Sequence, residues 1–321
     1  MIRLAASRLL QSVLVLLAVS FATYGLIGLM PGDPIDLMIS SDPRLTSEDA
    51  ARLREIHGLD RPMVDRYLAW LGAALDGDFG YSRLQGRPVW DALLPALHNT
   101  LILMGLALLL ALAIALPAGI LAAVRRHTWI DQAVSLAAFV GISTPPFWTA
   151  LLLIILFAVL FGWLPAGGSG AGEAGGPLAR VQFLVLPVLS LALAGLGGYL
   201  RYVRSAMIET LGQEWIRTAR AKGLSERRVV LGHALRGTLI PVTAIIGVEF
   251  GTLFSGALVT ETVFAYPGMG RLIYDAVLGN DFNLALAALL LATGFTLVGN
   301  LAADVALALL DPRISPASRA G

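Results

Sequence analysis

The sequence predicts an all-α membrane protein: six transmembrane helices, a long extracytoplasmic loop after the first, and a cytoplasmic loop between the fourth and fifth. Three observations carry that expectation. Of 321 residues, 57% are hydrophobic and only 14% are charged, a membrane-protein composition rather than that of a soluble domain. Apolar runs recur at lengths of about 18 residues or more, which is what a helix needs to cross a hydrocarbon core of about 30 Å. The remaining charge is concentrated, with eight basic residues within 201–236.

Arg3 and Arg8, in the short terminus 1–8, precede the first apolar run, 9–30. A cleaved signal peptide would have a shorter apolar region ending in small residues. This run ends instead in Pro31-Gly32-Asp33-Pro34, which favours an uncleaved span. Segment 31–96 is the longest polar stretch, with eleven acidic residues against seven arginines. Thr46 or Ser47 can cap a helix through Ile56 that Gly58 closes. Pro62 can begin another, with Val64, Tyr67, Leu68, Leu71 and Leu75 on one face and an end near Gly77, and Pro88 can begin a third. A small ordered domain is expected here, the alternative being a plain connector; structureless loops longer than about 15 residues are uncommon.

The second span is expected over 97–124 with a kink at Pro117, and Arg125-Arg126-His127 mark its end. The third, 133–161, is interrupted by Ser143-Thr144-Pro145-Pro146, a break tolerated where neighbours satisfy the freed backbone groups. The glycine-rich piece 166–177 reads as a flexible loop. The fourth span, 182–199, carries Ala194, Gly195, Gly197 and Gly198, a small-residue face suited to close helix packing. The fifth and sixth spans are expected over 238–264 and 284–310, leaving 311–321 as a tail. Arginines and the single lysine gather in alternate short loops, so both termini and the loop 209–241 are expected in the cytoplasm and the segment 31–96 outside.

Composition also excludes functions. A net charge of +1 gives no footprint for nucleic acid. There is no cysteine, and the four histidines, His57, His98, His127 and His233, have no ligand spacing, so no metal is assigned. Lys222 is the only lysine and is followed, not preceded, by glycine, so the chain lacks a Gly-Lys-Ser/Thr phosphate loop and carries no ATP site of that kind. Neither a His-Glu-x-x-His nor a Gly-x-Ser-x-Gly motif is present, which leaves an intramembrane enzyme without a catalytic constellation.

The loop 209–241 has internal order. Ile208, Leu211, Trp215 and Ala219 recur at helical spacing, with Glu209, Gln213, Glu214, Arg217 and Arg220 facing elsewhere. Gly223 stands where a helix C-cap wants a left-handed residue, and Ser225 can N-cap a second helix carrying Val229, Val230, Leu231 and Leu235. Helix, glycine elbow and helix on a membrane face make a docking knob.

Ala219-Arg220-Ala221-Lys222-Gly223-Leu224, with His233-Ala234-Leu235-Arg236 and Leu239-Ile240-Pro241, resembles the cytoplasmic coupling loop of ATP-binding cassette importer permeases, and more narrowly the dipeptide/oligopeptide (and nickel) branch. The general form of that loop begins Glu-Ala-Ala; those places hold Arg217, Thr218 and Ala219, and the missing Glu is usual for the peptide branch. Gly237-Thr238 stands where Asn-Ala is expected. Gly58-Leu59-Asp60-Arg61-Pro62, Glu261-Thr262-Val263-Phe264 with Pro267-Gly268, and Asp311-Pro312-Arg313 extend the resemblance in order along the chain.

The resemblance implies a permease subunit, not an enzyme, that moves short peptides across the bacterial cytoplasmic membrane as half of an alternating-access pathway. Its implied partners are a second homologous permease, two ATPase subunits that hold ATP and Mg, an extracytoplasmic substrate-binding protein, and the lipid bilayer. Trp215, Thr218, Ala219, Arg220, Ala221, Lys222, Gly223, Leu224 and Ser225 would form the ATPase-coupling surface. Nickel or glutathione are alternative cargoes, and a stand-alone secondary carrier or channel is the rival class; such a carrier would predict an internal repeat, and no convincing repeat is present. Three carboxylates are pathway candidates. Glu249 falls mid-span, where an ionisable group costs at least about 2.5 kcal/mol unless it faces protein or water, so it either lines the pathway or pairs with a neighbouring helix. Asp304 reads better as a helix-to-helix hydrogen bond, and Glu261, near the outer end of its span, as part of an outer gate.

Overall fold

In a computed structural model, residues 2–29, 52, 61–170 and 176–310 are described, and almost all of them that form regular structure are helical. The expected helix over Thr46 to Ile56 apart from residue 52, the Gly58-Leu59-Asp60 part of the Gly58–Pro62 motif, and the tail with Asp311-Pro312-Arg313 lie outside the described residues. Helix α1 spans Ile2–Gly28. Helix α2, Met63–Leu75, starts directly after Pro62, whose fixed φ and missing N–H suit that position, and Gly77 follows it at φ +86°. A short antiparallel hairpin of β1 (Tyr81–Ser82) and β2 (Arg87–Pro88) then leads into α3, Val89–Val124. Helix α4 (Trp129–Ser143) and α5 (Pro146–Leu153) follow, and α5 continues as a π-helical stretch, Ile154–Leu160. Then come α6 (Gly176–Leu211), α7 (Glu214–Ala221) and α8 (Glu226–Arg228), the last passing through a π-helical stretch, Val229–Ala234, into α9 (Leu235–Val263). Helices α10 (Met269–Leu278) and α11 (Phe282–Leu310) close the order.

Among the described residues four helices, α1, α3, α6 and α11, contain stretches long and apolar enough to cross a membrane, and the α4–α5 pair is a fifth if its two arms form one span. Those arms meet at 101°, far sharper than a proline kink inside a continuous helix. Three facts explain the corner. Thr144 is extended, Pro145 and Pro146 follow it, and the Thr144 hydroxyl donates back to the Val140 carbonyl at 2.7 Å, occupying an acceptor the next turn would have used. Each arm of about 15 residues is only about 22 Å long at 1.5 Å per residue, so neither crosses alone.

The central packing is α3 against α6, with α4 and α9 laid against α6 and α11 against α9. Small residues permit it. Ala107, Ala111, Ala115, Ala122 and Ala123 line the buried side of α3, and a Cβ on Gly197 would stand 2.5 Å from the Ala138 carbonyl oxygen. The small-residue face of the fourth span therefore serves close approach at Gly197, whereas a Cβ on Gly198 would meet nothing. Helix α3 is 36 residues, about 54 Å, so it outruns the bilayer; Val89, Leu93 and Leu97 pack beneath α10 rather than in lipid.

Two expectations need correction here. Of the apolar face read for α2, Tyr67 and Leu71 do pack inward with Trp70, but Val64, Leu68 and Leu75 are exposed. The buried face turns toward Tyr24 and Ser20 of α1, whose hydroxyl lies 2.7 Å from that of Tyr67. The first part of the glycine-rich loop is also ordered. Gly168, at φ +108°, donates its N–H to Phe264 at 2.8 Å, and Gly167 approaches so closely that a Cβ would lie 2.2 Å from the same carbonyl oxygen. The described end of the polar segment forms the β1–β2 hairpin, held down by Asp281, which accepts from the Ser82 hydroxyl at 2.6 Å and the Leu84 N–H at 2.9 Å.

Candidate functional site

The candidate coupling surface is the bent segment α7–α8. Helix α6 stops at Leu211, Gly212 and Gln213 intervene, and α7 starts afresh at Glu214. The break shifts the helical phase. The residues that go inward are Ile216 and Ala219, while Trp215, read as part of the apolar stripe, is 46% exposed. Its indole edge instead lies beside Gly237 of α9, where a Cβ would be 3.2 Å away. Ile216, Ala219, Val229, Val230 and Ala234 form one apolar cluster with Ala123 of α3 and Met207 of α6, and Leu224 packs against it. Complete burial of a side chain such as Ile216 stabilises by roughly 1.5–3 kcal/mol, so this segment is seated on the span ends, not suspended from them.

Between the two helices Gly223 has φ +78°, and a Cβ there would meet nothing within 4 Å. Glycine is therefore required by the backbone conformation and not by crowding inside this chain. Its N–H donates to the Arg220 carbonyl at 2.9 Å. Across the elbow the Arg220 guanidinium holds Glu226 at 2.6 Å, an exposed pair worth at most about 1 kcal/mol that bridges the two helices. Ser225 has the extended backbone of an N-cap, but its hydroxyl makes no capping bond; its carbonyl accepts from Val229 at 2.9 Å. The outward surface is thus Thr218, Arg220, Ala221, Lys222, Gly223 and Ser225, all exposed.

Two polar centres lie at opposite ends of the bundle, and the first ties this surface to it. Asp131, at the start of α4, receives both Nε and a terminal nitrogen of Arg204 on α6, at 2.5 and 2.9 Å, and also the His127 N–H at 3.0 Å. Arg204 lies two turns before α6 ends at Leu211, so α4 is clamped to the helix that leads into the elbow. At the other end of the bundle, Glu261 is completely buried. Its carboxylate accepts from the Thr100 hydroxyl at 2.5 Å and the Arg271 N–H at 3.1 Å, while Thr100 accepts from the Met269 N–H at 2.7 Å. Gly268 passes so close that a Cβ would sit 2.2 Å from the Glu261 carboxyl, and Asn99 donates to the Pro267 carbonyl at 2.8 Å.

Residues 115–316 match the family described as binding-protein-dependent transport system inner membrane component, and residues 1–104 match its N-terminal companion. The chain belongs to this family of transport permeases. It is 38% identical over 309 residues to the oligopeptide transport system permease protein AppB of Bacillus subtilis, covering 96% of this chain and 97% of that one. It is 37% identical over 318 residues to the di/tripeptide transport system permease protein DppB of Pseudomonas aeruginosa, covering 92% and 94%. Against the dipeptide transport system permease protein DppB of Escherichia coli K12 it is 34% identical over 320 residues, covering 93% and 94%. Among solved structures, a chain of the MetNI methionine ABC transporter in an inward-facing conformation superposes with a TM-score of 0.57 at 20% identity, covering 69% of this chain and 97% of that one, a likeness of fold.

As a family member the chain is a multi-pass inner-membrane transport component and not an enzyme, and the family description itself makes transport dependent on a binding protein. Within this permease the structure brings Trp215, Ala219, Gly223, Leu224 and Ser225 together in one elbow and sets Glu261 at the far end of the bundle. Glu249 and Asp304 belong to α9 and α11, but their side chains lie outside the described residues. No sequence motif marks the Asp131–Arg204 pair; the one available signal is two opposite charges near the ends of neighbouring helices. Among the described residues no group of histidine or carboxylate side chains could hold a metal.

Proposed function

We propose that this permease is one transmembrane subunit of an ATP-driven importer of short peptides, forming half of an alternating-access pathway with a second, similar permease. Two cytoplasmic ATPase subunits would hold ATP and Mg, and an extracytoplasmic binding protein would deliver the cargo. The peptide class rests on near-full-length likeness to proteins named for oligopeptides and dipeptides. The proposal takes α9 (29 residues) as a sixth span beside α1, α3, the α4–α5 pair, α6 and α11, and the basic residues of the short loops support placing both termini and the elbow in the cytoplasm. In this reading Glu249 lines the pathway and could meet a peptide's amino terminus.

The observation that carries the coupling role is the elbow: its apolar side is seated on α3 and α6, while Gly223 faces open space in a conformation only glycine adopts readily. Closure of the ATPases against that point would be transmitted through Ile216 and Ala219 to the ends of both helices. Replacing Gly223 by an ordinary residue costs on the order of 1 kcal/mol locally, far too little to unfold the packed bundle. Gly223→Asp would also place an unpaired carboxylate in the docked contact, where its desolvation adds a larger penalty. We therefore expect Gly223→Asp to insert normally, lose transport and retain less ATPase subunit on purification. Normal transport with the ATPase subunits still bound would show that the elbow does not couple.

A further inference from the structure

A groove of ≈ 490 Å³ opens between the cytoplasmic end of α3 and the α8 segment, lined by Pro117, Ile120, Leu121, Val124, Glu226, Arg227, Val230 and Leu231. Its volume is within the roughly 300–1,000 Å³ of small-molecule sites. Six of its eight lining residues are apolar, and four of them form the last two turns of a membrane span. Exposed Trp129, just beyond the α3–α4 turn, has the amphipathic ring that settles at a headgroup boundary, which supports a groove at the level where acyl chains give way to headgroups.

The mouth of the groove is positive. Arg227 lines it, Arg125 and Arg126 follow directly on α3, and all three are exposed, with no ion pair among the described residues. The one carboxylate in the lining, Glu226, is already engaged by Arg220 at 2.6 Å. An apolar trough at membrane depth under unpaired cations suits one occupant, an amphiphile with a negative head and a hydrocarbon tail. We propose that this groove is a binding site for an anionic glycerophospholipid of the cytoplasmic leaflet, its chain against Ile120, Leu121, Val230 and Leu231 and its phosphate held by Arg227 with Arg125 and Arg126. The inference rests on the cytoplasmic placement of the elbow given above. Because α8 is joined to the elbow at Gly223, the bound lipid braces the segment on which the ATPases act.

The test is to purify the assembled importer in mild detergent and measure phosphatidylglycerol against phosphatidylethanolamine retained per complex, by mass spectrometry. The wild-type complex should be enriched in phosphatidylglycerol over the membrane it came from. Arg227→Gln should lower that enrichment about fivefold, the effect of one basic side chain near an anionic surface. Leu121→Trp, at an exposed position of the lining, should fill the groove and displace the lipid while leaving the bundle folded. Arg201→Gln, an exposed arginine lying over the Tyr202 ring, should change nothing and serves as the control. No enrichment in the wild type, or equal enrichment in all variants, would overturn the site. Loss of ATPase subunit from Arg227→Gln with the lipid unchanged would assign the groove to a protein contact and overturn it equally. A chain that purifies with no ATPase subunit at all would instead sink the importer reading, whatever lipid it carries.

Discussion

Glu249 and Glu261 stand on the same helix, three turns apart, and should answer the same substitution differently. Glu261 has its carboxylate occupied by Thr100 and the Arg271 N–H inside this chain. In Glu261→Gln one oxygen becomes an NH2 group, so a donor faces either the hydroxyl or the backbone N–H. Leaving a buried polar group mismatched costs about 1–3 kcal/mol. Its effect is on stability: a lower unfolding temperature of the purified complex with unchanged cargo preference. Glu249→Gln removes a charge at the middle of α9 and, on the proposed pathway role, should instead alter uptake rate or selectivity in a complex that assembles normally. If Glu249→Gln disrupts assembly, or Glu261→Gln shifts selectivity at constant stability, the two roles are exchanged. The elbow shows a similar division. Gly223 faces outward and tests docking, whereas Ala219 is buried against the chain's own cluster, so a large residue there would report on packing first.

At the scale of elements, the sequence made the long helices legible and concealed what joins them. Uninterrupted apolar runs announce α1, α3 and α11, and Gly223 announces its own positive φ because few other residues tolerate one. The phase of α7 was not legible. Periodicity read through Gly212 and Gln213 selects Trp215, but the break there restarts the helix and buries Ile216. Nor could the sequence disclose that the Thr144-Pro145-Pro146 break is a corner of 101°, since proline chemistry predicts interruption without an angle. Pairings between distant segments, such as Asp281 with the hairpin or Asp131 with Arg204, leave no local pattern at all. The last of these makes a prediction about elements. Asp131 is almost fully buried, so Asp131→Asn strands the Arg204 charge beside it, and breaking a buried pair costs about 3–5 kcal/mol. Because the Arg204 side chain is still 27% exposed, the loss should lie at or below the lower end of that range. Asp131→Arg with Arg204→Asp together should recover part of it, measured as unfolding temperature and as transport. A swap no better than the worse single variant would mean that the two helices are held by other contacts.

The whole molecule is sided, and its two ends differ in kind. One end is closed by the Glu261 centre and by the hairpin that Asp281 fastens to the start of α11. The other presents the elbow, the Asp131–Arg204 clamp and a crowd of basic residues: Arg125, Arg126, Arg201, Lys222, Arg227 and Arg228. Basic residues in short loops are retained in the cytoplasm, whereas a segment as long as 31–96 crosses largely regardless of its charge. An odd number of crossings separates the hairpin tip from the elbow if the α4–α5 pair crosses once: α3, that pair and α6 lie between them. If the pair were re-entrant, the two sites would share a side, so one experiment decides both the orientation and the nature of the 101° corner. Gln85 at the hairpin tip and Gln213 before α7 are exposed and outside regular elements, which suits them to reporter insertion. A reporter active only in the periplasm should be active at Gln85 and silent at Gln213, and one active only in the cytoplasm should give the reverse. Activity of one reporter at both positions would make α4–α5 a re-entrant hairpin and leave five spans. A clean reversal would instead put the elbow outside, beyond the reach of any cytoplasmic ATPase.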